Sequence, residues 1–259
     1  MPDRTDLIYR YDGTLKGLLC CVYECFSSKE NPMMILPKDE MQLMLLPEKV
    51  IETDPAIALR VANAITGKLS EEFMRFVASA HLCALAGREG LIVALIRRGF
   101  RQGARVLNDL GDPAVNKLMR AVNALANEAH LYLGFTRFQV TDGVLTSVIE
   151  PKNRVLPLMR AHFCDRFSGE TFLIYDKTHA QALIYHLGVA RIESIQSLQL
   201  PAEDEVERHF RALWRLFFKT VSIASRENPQ QQQTHLPQRY RSQMPELTPP
   251  TYPKLQEIS

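Results

Sequence analysis

Four short stretches of this sequence carry residue types at spacings that could do chemistry. The first is NEAHLYLGFTRFQVTDGV, Asn127 to Val144, where Glu128 and His130 stand two residues apart ahead of a turn signal. A carboxylate and an imidazole that converge can hold a metal ion or move a proton. In an extended strand, i and i+2 face together, whereas on a helix they are about 200° apart. The apolar stripe Val115, Leu118, Met119, Val122, Leu125, Ala126, Ala129 and Leu133 carries a helical period through both positions. The pair is therefore expected to point nearly opposite ways and to form no metal site, leaving each as a separate acid/base candidate.

The second stretch is IRRGFRQGAR, with Arg97, Arg98, Arg101 and Arg105 around Phe100. On a helix Arg97, Arg101 and Arg105 line one face at i, i+4 and i+8, which suits either a phosphate strip or a plain solvated face. Gly99 and Gly103 weaken a continuous helix. The third is VLPLMRAHFCDRF: Leu156, Met159, Phe163 and Phe167 form a stripe, with His162 and Arg166 at i, i+4 beside it. An arginine neighbour disfavours the imidazolium, so His162 suits an anion better than a cation. In the fourth, Tyr175, Asp176 and His179 crowd a turn, either as an acid/base pair or with Asp176 as a simple turn cap.

These groups must be held by the surrounding elements. Leu7 to Tyr11 reads as a short strand, DGT as a turn, and Thr14 to Phe26 as an amphipathic helix. The stretch 31–52 reads as short extended pieces. Helices come next, capped by Asp54 with Pro55 at the first position and Gly67 as terminator, by Ser70, and by Asp112 with Pro113, the last closing at Gly134. Beyond Gly134 the period becomes two, and TDG predicts a hairpin that sets Gln139 opposite Thr146 and Arg137 opposite Val148. ETFLIYD, QALIYH and VARIES read as three further strands. The segment 203–228 reads as a long helix burying Trp214, and the remainder of the chain as a Pro- and Gln-rich tail. The expected fold class is α+β: an N-terminal strand and helical region to residue 134, a central antiparallel sheet with an intervening helix over 135–200, and a long C-terminal helix, in one domain over 1–246.

Composition limits the function classes. With 46% hydrophobic and 23% charged residues and a net charge of +2, the chain is that of a globular protein without a broad electrostatic grip on nucleic acid, so phosphate binding needs local clusters. No apolar run is long enough for a membrane span, and the first residues are too polar for a signal peptide, so the cytoplasm is the expected compartment, with no membrane partner. Cys20, Cys21, Cys25, Cys83 and Cys164 sit among apolar residues, as reduced thiols do. No P-loop, dinucleotide fingerprint or three-cysteine cluster motif occurs, and no cofactor or metal is expected.

The series YDGTLKGLL, ETDPAIALRV, EAHLYLGFTRF, VLPLMRAHFCDR, LIYD, LWRLFFKTVSIASRENPQ and LPQRYRSQMPE resembles a bacterial DNA-metabolism family over about Ile8 to Glu246. The resemblance implies a partner, a radical-SAM protein assigned to DNA modification or repair, and some members resemble the same domain fused behind a uracil-DNA glycosylase-like domain. It also implies that the ending through Glu246 belongs to the domain, leaving 247–259 as a disordered tail. The chain departs from the family pattern at Arg241, where a Trp is usual, and at Leu131, where a basic residue is usual. The leading expectation is a DNA-binding accessory protein using Arg97, Arg98, Arg101, Arg105, Arg137, Arg166 and Arg239 on phosphates and Tyr240 as a stacking residue. Its rivals are an enzyme acting on DNA or nucleotides through His162, His130, Glu128 and Asp176, and a protein-interaction module.

Overall fold

The computed structural model describes residues 5–40, 46–141, 143–195, 236–241 and 244. The expected helix 203–228 with Trp214, the tail 247–259 and the side chain of Arg239 lie outside the described residues. The chain is of mixed helices and strands, as expected, and divides into two compact units, Met1–Ala126 and Asn127–Ser259.

The first unit opens with β1 (Ile8–Tyr11), α1 (Leu15–Ser27), β2 (Met34–Pro37) and β3 (Glu48–Val50). These strands form a parallel sheet in the order β2-β1-β3, with Ile8 opposite Met34 and Glu48. A parallel pair needs a crossover, and α1 supplies it between β1 and β2. β1 is central and wholly buried, with Ile8, Tyr9 and Tyr11 in the core and Arg10 paired with Glu48 of β3.

Four helices and a 3-10 turn come after: α2 (Pro55–Lys68), α3 (Glu71–Leu82), α4 (Arg88–Gln102), the turn Ala104–Asn108, and α5 (Pro113–Phe135), whose last residues belong to the second unit. The caps are those the sequence indicates. Asp54 Oδ1 accepts from Ala56 N at 2.7 Å, Ser70 Oγ from Phe73 N at 3.0 Å, and Asp112 Oδ1 from Ala114 N at 2.8 Å. Gly67 does not end α2, which runs on to Lys68 with Leu69 as its last cap. The core gathers Tyr9, Tyr11, Leu18, Phe73, Ile92, Ile96 and Leu118.

Gly99 is where α4 comes closest to its neighbours. A Cβ there would lie 2.9 Å from both Leu69 Cδ1 and Phe73 Cζ. Gly99→Ala should cost about 1–2 kcal/mol, because overpacking of about 1–3 kcal/mol outweighs the gain in helix propensity. Urea unfolding checks this; an alanine variant as stable as the parent contradicts the close packing.

The second unit contains β4 (Gln139–Thr141), β5 (Val144–Ile149), α6 (Leu156–Arg166), β6 (Phe172–Asp176), β7 (Gln181–His186) and β8 (Val189–Ser194) in one sheet ordered β4-β5-β6-β7-β8. The hairpin register is as expected, Gln139 opposite Thr146. β4 is shorter than expected and begins at Gln139, so Arg137 lies before it and not in the expected position opposite Val148. The sheet is mixed and not purely antiparallel, because β5 and β6 run parallel, Leu145 opposite Phe172. The helix α6 between them is the crossover that a parallel neighbour demands. Its apolar face, Met159 and Phe163, joins Phe138, Phe167 and Phe172 in an aromatic core. A short helix, Gln238–Arg241, is the last described element of this unit.

Candidate nucleic-acid interface

In the first unit α1, α2 and α4 leave a groove of about 330 Å³ lined by Val22, Tyr23, Phe26, Arg60, Val61, Ala64, Lys68 and Phe100. Helical period explains its shape. α1 turns Leu18, Cys21, Val22 and Cys25 into the core, which brings Tyr23 and Phe26 to the outer side, Phe26 being 47% exposed. On α2, Val61, Ala64 and Lys68 succeed one another at i, i+3 and i+7, and the small Ala64 leaves room between two larger neighbours. On α4, Gly99 faces inward and sets the adjacent Phe100 at the groove wall.

The aromatic walls carry cations. Phe26 and Phe100 meet edge to face with centroids 5.7 Å apart. The Arg60 guanidinium lies 4.5 Å from the Tyr23 ring centre, and that of Arg97 lies 5.9 Å from the centre of Phe26. Such pairs are attractive and hold each guanidinium beside a π-face. The lining includes two cations and no carboxylate among the described residues. Aromatic rings with cations beside them are what an unstacked nucleobase and its phosphate require.

The four α4-region arginines have different fates. Arg97 Nη1 donates to Asn31 Oδ1 at 2.9 Å and to Glu30 O at 3.2 Å, which fixes its guanidinium at the groove edge. Arg98 is committed to Asp109 and Asp112, forming ion pairs that brace the end of α4 against the start of α5, and so is not a phosphate contact. Arg101 is exposed on the last turn of α4. Arg105 is also exposed, but the helix ends at Gln102 and Gly103 takes φ 85°, so the expected alignment of Arg97, Arg101 and Arg105 on one face breaks after Arg101. Sequence reading found this cluster through α4 alone; Tyr23, Phe26, Arg60 and Lys68 escaped it. The available signal was an aromatic pair at i, i+3 on the polar side of α1.

In the second unit Arg137 and Tyr240 line one small pocket with Tyr132, Phe135 and Glu150, while Glu128 and His130 are held apart. Glu128 is buried and accepts from Lys152 N at 3.0 Å, Asn153 N at 2.9 Å and Asn153 Nδ2 at 2.6 Å, whereas His130 is exposed. The two therefore diverge as the helical period requires, and Glu128 is a loop anchor more than an acid or base. His162 is half-buried, its ring edge-on to Phe163 at 5.0 Å, and Nε2 has no hydrogen-bond partner among the described residues. Arg166 is exposed, with its guanidinium near Phe167. Arg137 Nη1 donates to Gly134 O. Tyr240 is buried, packed 4.9 Å from Tyr132 and 5.5 Å from Phe135, so its ring fills the core and cannot stack on a base.

One pair does converge. Asp176, fully buried, accepts His179 N at 3.1 Å and meets His179 Nδ1 at 2.6 Å. It caps the turn and orients an imidazole together, so the acid/base and turn-cap readings describe the same carboxylate. No group of His, Cys, Asp and Glu among the described residues is arranged to hold a metal ion. The five cysteines are free; burial pushes the Cys25 and Cys83 thiols up to about 11, which suits inert core residues.

The model of a family described as a domain of unknown function, DUF4130, matches residues 86–246, well over half of the chain. The chain belongs to the DUF4130 family. No curated protein matches it. The DUF4130 match takes in α4 and the whole sheet of the second unit, while α1 and α2, which bear Tyr23, Phe26, Arg60 and Lys68, precede it. The groove is thus built partly from DUF4130 residues and partly from the region before them. No described helix of this DUF4130 protein is long and apolar enough to cross a membrane.

Proposed function

We propose that this chain is a DNA-metabolism accessory protein that binds nucleic acid through the α1, α2 and α4 face and serves a radical-SAM partner acting in DNA repair or modification. The observation that carries the reading is the groove itself: three aromatic rings flanked by Arg60, Lys68 and Arg97, with Arg101 one turn further along α4. The radical-SAM partner comes from the sequence resemblance, and the cytoplasm is its expected compartment. In this reading Arg97 and Arg101 contact phosphates, about 6 Å apart along the helix axis, and the contacts position the strand without reading its sequence.

The test is the salt dependence of DNA affinity for the parent and for Arg97→Ala/Arg101→Ala. Losing two phosphate contacts should flatten the slope of log affinity against log salt by about 1.4–1.8. An affinity indifferent to salt and to both changes rejects the proposal.

A second reading rests on the Asp176 and His179 pair, whose 2.6 Å contact is the geometry of an oriented general base. It would make the protein an enzyme acting on DNA or nucleotides. His179→Ala should then abolish turnover by the purified protein; turnover that survives this change removes the pair from the chemistry.

A further inference from the structure

Resting on the nucleic-acid reading above, we infer that the α1, α2 and α4 groove takes an unstacked base of a single strand and not a duplex. In a duplex the bases are stacked on one another and offer a protein only their edges and the phosphates, so rings set along a concave wall find no π-face there. Here the rings are in the groove wall. Phe26 and Phe100 stand at 77° to each other, forming a corner against which a flat ring can lie, with Tyr23 beside it.

Charge complementarity points to the same occupant. The lining pairs apolar surface with Arg60 and Lys68 on the α2 side, while Arg97 sits against Phe26 on the α4 side. Cations on both sides of an aromatic corner match a base whose phosphates leave in two directions, as in a strand. A free nucleotide has its phosphates at one end only. The size agrees: about 330 Å³ is at the lower end of the range of small-ligand sites, and α1 contributes barely more than one turn, Val22 to Phe26. An amphipathic helix needs anchor positions spread over i to i+7 on a longer apolar trough.

The experiment is fluorescence anisotropy of the full chain with labelled oligothymidylate, with a duplex of equal length, and with thymidine monophosphate as competitor, for the parent, Phe26→Ala and Arg97→Ala/Arg101→Ala. Phe26 is half exposed, so its truncation leaves the core intact; Arg60→Gln is the second variant. The strand should bind about tenfold or more tighter than the duplex, and Phe26→Ala should weaken strand binding about five- to hundredfold and duplex binding by much less. Arg60→Gln should weaken strand binding severalfold. Equal affinity for strand and duplex, with Phe26→Ala without effect, overturns the single-strand inference and leaves the charge-based reading standing. Displacement of the strand by equimolar thymidine monophosphate overturns the strand as occupant. Failure of both strand and duplex to bind overturns this inference and the proposed function together.

Discussion

Replacing Glu128 by alanine should destabilise the second unit by about 3–5 kcal/mol, since its buried carboxylate accepts three N–H groups from Lys152 and Asn153. Those donors belong to the connection between β5 and α6. A buried donor left without its acceptor costs about 1–3 kcal/mol, and bonds to a charged acceptor lie at the upper end. Glu128→Gln keeps one acceptor oxygen and should lose roughly half as much. Urea unfolding gives the total. Amide hydrogen exchange at Lys152 and Asn153 locates it, and the alanine variant should lose protection there first. A loss below about 1 kcal/mol with unchanged exchange contradicts the anchoring role.

The second large effect concerns Lys49, whose Nζ lies 2.6 Å from Glu24 Oε1 and 2.8 Å from Glu30 Oε2, while Glu30 also accepts the Tyr9 hydroxyl. The Glu30 side chain is only 12% exposed. Lys49→Met leaves two carboxylates facing each other. Breaking a buried pair costs about 3–5 kcal/mol, and solvent at the partly open Glu24 and Lys49 reduces this to about 2–3 kcal/mol.

The pH dependence should also reverse. The hydrogen bond from Lys49, with that from Ser28, holds Glu24 below the usual carboxylate range. Burial pushes Glu30 up, but Lys49 and the Tyr9 hydroxyl more than offset it, so Glu30 too is lowered. Burial lowers Lys49, and the two carboxylates outweigh this and raise it. Groups depressed in the folded state contribute stability that is complete above their unfolded values and lost as pH falls through the folded values. The parent should therefore weaken in acid below about pH 4.5. Without Lys49, the facing carboxylates favour protonation, so the variant should gain stability as pH falls from neutral towards 5. Thermal unfolding across that window checks the sign, and a variant with the parent's acid profile contradicts the network.

How much of this could be read beforehand depends on how local each signal is. The caps at Asp54, Ser70 and Asp112 are written in three or four consecutive residues, and so is the hairpin turn before Val144. The divergence of Glu128 and His130 is set by a stripe of apolar residues on one helix, and the structure bears it out. The parallel pairing of β1 with β2 and β3 was not legible, because strands of four, four and three residues are too short to show a period. The mixed character of the second sheet was hidden for another reason: strand sequences give alternation, and direction comes from the connection through α6. The groove is the least local feature. Its walls come from residues 23, 26, 60, 68 and 100, which only packing brings together. Arg98 reads as one member of a basic cluster until Asp109 and Asp112 fold back onto it.

If nucleic acid lies on the proposed α1, α2 and α4 face, hydrogen exchange of the full chain with and without oligothymidylate should show it. Added protection is expected at residues 22–26, 60–68 and 97–102, with the turn at Asp176 to His179 unchanged. Protection confined to that turn, with the groove unaffected, would reject nucleic acid on this face and favour chemistry at the Asp176 and His179 pair.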